Sequence, residues 1–113
     1  MKIEKFHIYS ADLNPRIGTE PGKIRPVVVI QTDLLNNTHP STMVCPLTTK
    51  VIKQADILRV HVPAGESGLK QSSDILVDQI RAIDNQRFKK HVGKLTAVRQ
   101  NRLLENLKVL ILE

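Results

Sequence analysis

A chain of 113 residues, 41% hydrophobic and 25% charged, is long enough to bury one core and too short for two, so residues 1–113 are expected to form a single domain. Seventeen Lys and Arg against eleven Asp and Glu leave a formal charge of +6, which favours a polyanionic partner or an acidic protein segment. The composition excludes a low-complexity chain, no apolar run approaches the ~18 residues of a membrane span, and MKIEKFHIYS sets charges where a signal peptide carries its apolar stretch, so the expected compartment is the cytoplasm.

In chain order, FHIYSADL (6–13) alternates loosely and reads as a first strand ending at Asn14 and Pro15. NPRIGTEPGK (14–23), with two prolines and two glycines, predicts a long flap, with Gly22 as its hinge and Pro26 as its stop. VVVIQ (27–31) is apolar on both faces of a strand, and TMVCPL (42–47) is a third strand closed by Thr48, Thr49 and Lys50. The single cysteine, Cys45, lies in that apolar run and reads as a small buried thiol. ILRVHV (57–62) is strand-like, PAGESGLKQSS (63–73) is a turn-rich connection, and DILVDQIRAI (74–83) is the longest strand candidate.

The last quarter changes character. Thr96 is a plausible N-cap, and AVRQNRLLENLK (97–108) predicts one helix. VLIL (109–112), β-branched at Val109 and Ile111, is expected to return to the sheet as a final strand. Arg81, Arg87, Lys89, Lys90, Lys94, Arg99 and Arg102 crowd a segment whose only acid is Asp84, either as an anion-binding face or as a solvated helix and loop face. The punctuation as a whole suits a mainly β (α+β) fold, a barrel with one C-terminal helix.

The order DLNP, then G-x-E-x-G-x-x-RPVVVIQ, then PLTT, then ILVDQIRAID followed by QR, resembles the MazF/PemK/Kid family of toxin endoribonucleases from bacterial toxin–antitoxin pairs. The resemblance runs from Ile8 to Arg87. It implies an SH3-like barrel of about five to seven strands with a C-terminal helix, a homodimer, and cleavage of single-stranded RNA without metal or cofactor. In this family the substrate's own 2′-hydroxyl attacks the adjacent phosphate, leaving a cyclic phosphate and a 5′-hydroxyl. The partners implied are the RNA and a cognate antitoxin with an acidic segment.

Such chemistry needs positive charge near the phosphorane oxygens and donors that hold the phosphate in line. Arg25 matches the family's catalytic arginine: its planar fork donates two parallel hydrogen bonds to a phosphate, and Pro26 biases its backbone toward the extended form. Thr48 matches the second catalytic position, where a hydroxyl orients phosphate or 2′-hydroxyl; Thr49 is adjacent, and both also fit simply as β-formers at a strand end. Arg16, Lys23, Thr49, Asp78, Gln79, Arg81 and Arg87 are the RNA-binding or supporting candidates. On a period of two, Asp78 and Gln79 are expected to face opposite ways, Asp78 pairing with an arginine and Gln79 meeting a base edge.

The chain departs from parts of the family pattern, with Leu76 where some members carry an arginine and Ile17 where some carry an aromatic or histidine. His7, His39, His61 and His91 are scattered over different elements, and no shared metal is expected among Asp74, Asp78 and Asp84. A second reading is a non-enzymatic poison of DNA gyrase like the CcdB toxins, which are similar in fold but carry a C-terminal tryptophan that this chain lacks. A third is a nucleic-acid-binding barrel without catalysis.

Overall fold

The computed structural model describes residues 1–15, 18–19 and 23–113. Arg16, an RNA-binding candidate, Ile17, a departure from the family pattern, and Gly22, the expected hinge of the flap, lie outside them. Among the described residues seven strands follow one another: β1 (His7–Asp12), β2 (Ile24–Val29), β3 (Ser41–Thr48), β4 (Arg59–Val62), β5 (Ser73–Leu76), β6 (Arg81–Asp84) and β7 (Phe88–Lys94), with helix α1 (Ala97–Leu112) at the end. They form one antiparallel, open barrel-like sheet in the order β4-β5-β3-β2-β1-β7, and β6 also pairs with β3.

β3 is the spine of the sheet. One edge pairs with β2, from Val27 opposite Pro46 to Val29 opposite Val44. The other edge is shared: its first half pairs with β6 up to Val44 opposite Arg81, and its end pairs with β5 from Leu47 opposite Ile75. Pro46 has no N–H to give to a ladder and stands at this changeover. Alternate residues of β1, β2 and β3 then feed two cores, Ile8, Val28 and Cys45 on one side and Tyr9, Val27, Val29 and Val44 on the other. That division explains the unbroken apolar run of β2, since both of its faces are covered.

Four expectations are corrected. The 74–83 segment is two short strands separated by a turn at Val77 and Asp78, closed by the Gln79 N–H on the Leu76 carbonyl (3.1 Å). The break follows from topology, because β5 and β6 must reach different halves of the same β3 edge. Pro26 is no stop to the flap; it sits inside β2 opposite Ser10. The 109–112 tail continues α1, for extending a formed helix adds one hydrogen bond per residue without a new turn. Thr96 caps that helix as expected, accepting from the Arg99 N–H. Finally, residues 88–94 of the basic segment are a strand, β7, bulged twice against β1, with Lys89, Lys90 and Lys94 exposed along it.

The 63–72 connection is laid tightly on β7. A Cβ on Gly93 would meet the Ser67 carbonyl oxygen at 2.0 Å, and Gly68 adopts φ +79° where its own Cβ would meet the Val92 carbonyl. Arg99 Nε donates to Glu66 Oε2 at 2.9 Å, tying the same loop to α1.

Candidate active site

β2 leaves the core within three residues: Val27 is fully buried, Arg25 and Pro26 are half-buried, and Ile24 is 60% exposed. The guanidinium is thus mounted on a strand whose next residues cannot move without opening the core. Continuing the β2–β3 register two residues beyond Val27 and Pro46 sets Arg25 across from Thr48. A shallow cavity of about 210 Å³ opens there, lined by Lys23, Ile24, Arg25, Pro26, Leu47, Thr48, Thr49 and Ser73. Sequence positions 23–26 and 47–49, far apart in the chain, meet because their strands are neighbours.

Thr48 is the last residue of β3 and is 9% exposed. Its Oγ1 accepts the Lys50 N–H at 3.2 Å, which leaves the hydroxyl proton free to be donated into the cavity. Thr49 beside it is exposed. Lys23 ties the start of β2 to the end of β1: its N–H donates to Asn14 Oδ1 at 2.7 Å, and its carbonyl accepts the Leu13 N–H at 2.8 Å. These bonds hold Lys23 at φ 65°, a left-handed conformation that a side-chain-bearing residue adopts only when held.

Arg87 holds the end of β1 as well, donating through Nη1 to the carbonyls of Asp12 and Asn14. It is outside the cavity lining. Asp78, Gln79 and Arg81 do not line the cavity either. Asp78 is exposed on the turn between β5 and β6, so its carboxylate needs no buried partner, and the turn removes the alternation that set it opposite to Gln79. Arg81 is half-buried opposite Val44, and its Nη1 is buried with no hydrogen-bond partner among the described residues.

Two groupings were invisible in the sequence. Ser73 joins the cavity from β5, and only the β3–β5 pairing brings it there. His7 and His91, 84 positions apart, meet across β1 and β7 with Nδ1 and Nε2 2.9 Å apart. Burial lowers the pKa of His7 from its ordinary 6.5, with Glu4 opposing the shift and His91 and Lys94 adding to it. Cys45 is fully buried as expected, and burial pushes its thiol up to about 12. Among the described residues no three His, Cys, Asp or Glu are grouped to hold a metal ion, and no helix is long and apolar enough to cross a membrane.

Comparison with known proteins is consistent along the whole length. Endoribonuclease EndoA of Bacillus subtilis (strain 168) is 34% identical over 109 residues, covering 96% of this chain and 94% of the relative. Endoribonuclease MazF of Staphylococcus epidermidis is 35% identical over 103 residues, covering 91% and 83%. In fold, MazF from Deinococcus radiodurans superposes with a TM-score of 0.84 at 22% identity, covering 100% of this chain and 99% of that one. The model of the PemK-like, MazF-like toxins of type II toxin–antitoxin systems matches residues 4–111, and the chain belongs to that family.

Proposed function

We propose that this toxin is a sequence-specific endoribonuclease that cuts single-stranded RNA, mRNA above all, without a metal, using Arg25 and Thr48 on the substrate's own phosphate. The observation that carries the reading is the convergence of these two side chains on one open cavity, in a chain 34% identical to a protein named Endoribonuclease EndoA. In the step, the 2′-oxygen bonds to phosphorus as the bond to the 5′-oxygen breaks. The 2′-hydroxyl gives up its proton and the departing oxygen takes one, leaving a cyclic phosphate and a 5′-hydroxyl.

Arg25 answers the charge that gathers on the phosphorane oxygens. Its planar, delocalised charge makes it a strong electrostatic stabiliser. Thr48, with its oxygen already engaged by the Lys50 N–H, supplies an O–H donor that holds a phosphate oxygen in line. Lys23 and Thr49 border the cavity where the flanking nucleotides would run, and Arg87 steadies the end of β1.

A homodimer is supported by the end of α1, where Ile111 is 61% and Leu112 77% exposed, an apolar tail that a single copy leaves in water. Structures resembling the chain include a MazE-MazF complex from Deinococcus radiodurans, TM-score 0.77. An antitoxin with an acidic segment suits the +6 charge, and the cytoplasm is where such a pair and its mRNA would meet. The test is incubation of the purified protein with end-labelled single-stranded RNA in excess EDTA, beside Thr48→Val. Fragments ending in cyclic phosphate support the reading, whereas intact RNA together with blocked DNA supercoiling would move the protein to the gyrase-poison class, which the family match disfavours.

A further inference from the structure

Thr48 has a second support, behind the cavity. Its register partner on β5 is Asp74, a carboxylate only 1% exposed. A charge taken that far from water requires donors, and Asp74 has three. Its Oδ2 accepts from the Ile52 N–H at 2.9 Å and from Arg59 Nη1 at 3.2 Å, and its Oδ1 faces His61 Nδ1 at 3.2 Å. The same Arg59 Nη1 donates to the Lys50 carbonyl at 2.7 Å. Lys50 and Ile52 are therefore held from one buried point, Lys50 through its carbonyl and Ile52 through its N–H.

Lys50 is also the residue whose N–H binds the Thr48 hydroxyl oxygen. A shift of the 50–52 segment would release that bond and let the hydroxyl turn, although nothing in the cavity itself had changed. Asp74 and Arg59 do not border the Arg25–Thr48 cavity; they line a separate one of about 480 Å³ against α1.

We propose that Asp74, acting through Arg59, is a positioning residue for Thr48: the buried carboxylate anchors the guanidinium that holds Lys50, and Lys50 aims the hydroxyl at the phosphate. This rests on the RNA-cleavage reading above. Neither side chain reaches the substrate, so the clamp sets the maximal rate of cleavage and leaves RNA affinity alone. Loss of the clamp is expected to slow cleavage by about tenfold, below the ~10²-fold that a misplacement of order 1 Å can cost.

The experiment is single-turnover cleavage of a long single-stranded transcript in EDTA at varied protein concentration, giving a maximal rate and a half-saturating concentration. Asp74→Asn and Arg59→Ala are expected to lower the maximal rate about tenfold with half-saturation within about twofold, and His61→Ala, which loses only the Oδ1 contact, to stay within about twofold of wild type. In a Thr48→Val background Asp74→Asn is expected to cost nothing further, because the hydroxyl it aims is gone. A full tenfold loss in that background, a change in half-saturation instead of rate, or an equal loss in His61→Ala overturns the proposal. Arg59, at the partly exposed end of the ion pair, carries the test should Asp74→Asn fail to fold.

Amide hydrogen exchange reads the same clamp without RNA. Asp74→Asn is expected to speed exchange at Lys50 and Ile52 about tenfold while Val28 and Val44 in the core keep their protection; unchanged exchange at Lys50 and Ile52 overturns the clamp. Intact RNA with the wild-type protein would sink the cleavage reading, and the exchange measurement would still decide whether Asp74 holds the segment.

Discussion

Replacing Arg25 is the sharpest perturbation of the site, and its size follows from the geometry. A guanidinium opposed to a phosphate makes two parallel charge-assisted hydrogen bonds, each worth about 1.5–3 kcal/mol. Because Arg25 is half-buried in an open cavity, solvent screens part of this, and the lower half of the range applies, about 3–4 kcal/mol of transition-state stabilisation. At ~1.4 kcal/mol per decade that is a ~10²–10³-fold loss in rate for Arg25→Ala, the size seen when an oxyanion donor is removed. Arg25→Lys keeps the charge and loses the fork, so it should recover only about one decade of that loss. The assay is the single-turnover rate on a long transcript in EDTA, with thermal unfolding of each variant beside it. Arg25 is half-buried, one residue in from the exposed end of β2, so the unfolding midpoint should move by only a few degrees. An Arg25→Ala protein that folds and cuts within about threefold of wild type would refute the role assigned here, and full activity in Arg25→Lys would refute the need for the fork.

Other consequences concern the scaffold. Gly93→Ala places a Cβ 2.0 Å from the Ser67 carbonyl oxygen, where only backbone can yield, so a loss of about 2–3 kcal/mol and a drop of roughly 10 °C in unfolding midpoint are expected by calorimetry. Burial holds the pKa of His7 below 6.5, so the unfolded chain binds more protons there than the folded one. Stability should therefore fall as pH drops through and below 6.5, and His7→Gln should flatten that slope in urea titrations; an unchanged slope would assign it to other groups. Cys45, with its thiol pushed up to about 12, should resist alkylation at neutral pH until the protein is unfolded, as mass spectrometry would read directly.

What could be read from the chain divides along physical lines. β1, β2 and β3 were legible because their β-branched and apolar residues are covered on one face or both, so pattern and burial agree. The turn after β5 was not, since Val77 stays fully buried inside it and no Gly or Pro marks the bend. β7 escaped for the opposite reason: edge lysines and two bulges erase its alternation. The Arg25–Thr48 pair was named from the family motifs, yet its closeness depends on a register between strands. Asp74 was weighed only as a metal ligand, because a buried carboxylate's role lies in its partners, Ile52, Arg59 and His61, and none of these can be assigned from sequence spacing.

The shared edge of β3 links the fold to the chemistry. The open side of Thr48 is the β2 edge, where pairing with β3 ends at Val27 opposite Pro46, while on its other edge Thr48 is paired with Asp74. Because the partner changes at Pro46, β6 covers Ser41–Val44, and β5 arrives only for Leu47 and Thr48. That late pairing delivers Ser73 to the cavity and Asp74 to the position directly across from Thr48. On the opposite edge β2 runs past its last bond to β3 and presents Arg25 at the same level. The arginine is thus a consequence of β2 outrunning its pairing and the threonine of β3 exchanging partners. A change that forced β5 to slip by one residue against β3 would move Asp74 and Ser73 each to the other face of the sheet, dismantling the site while leaving Arg25 and Thr48 themselves untouched.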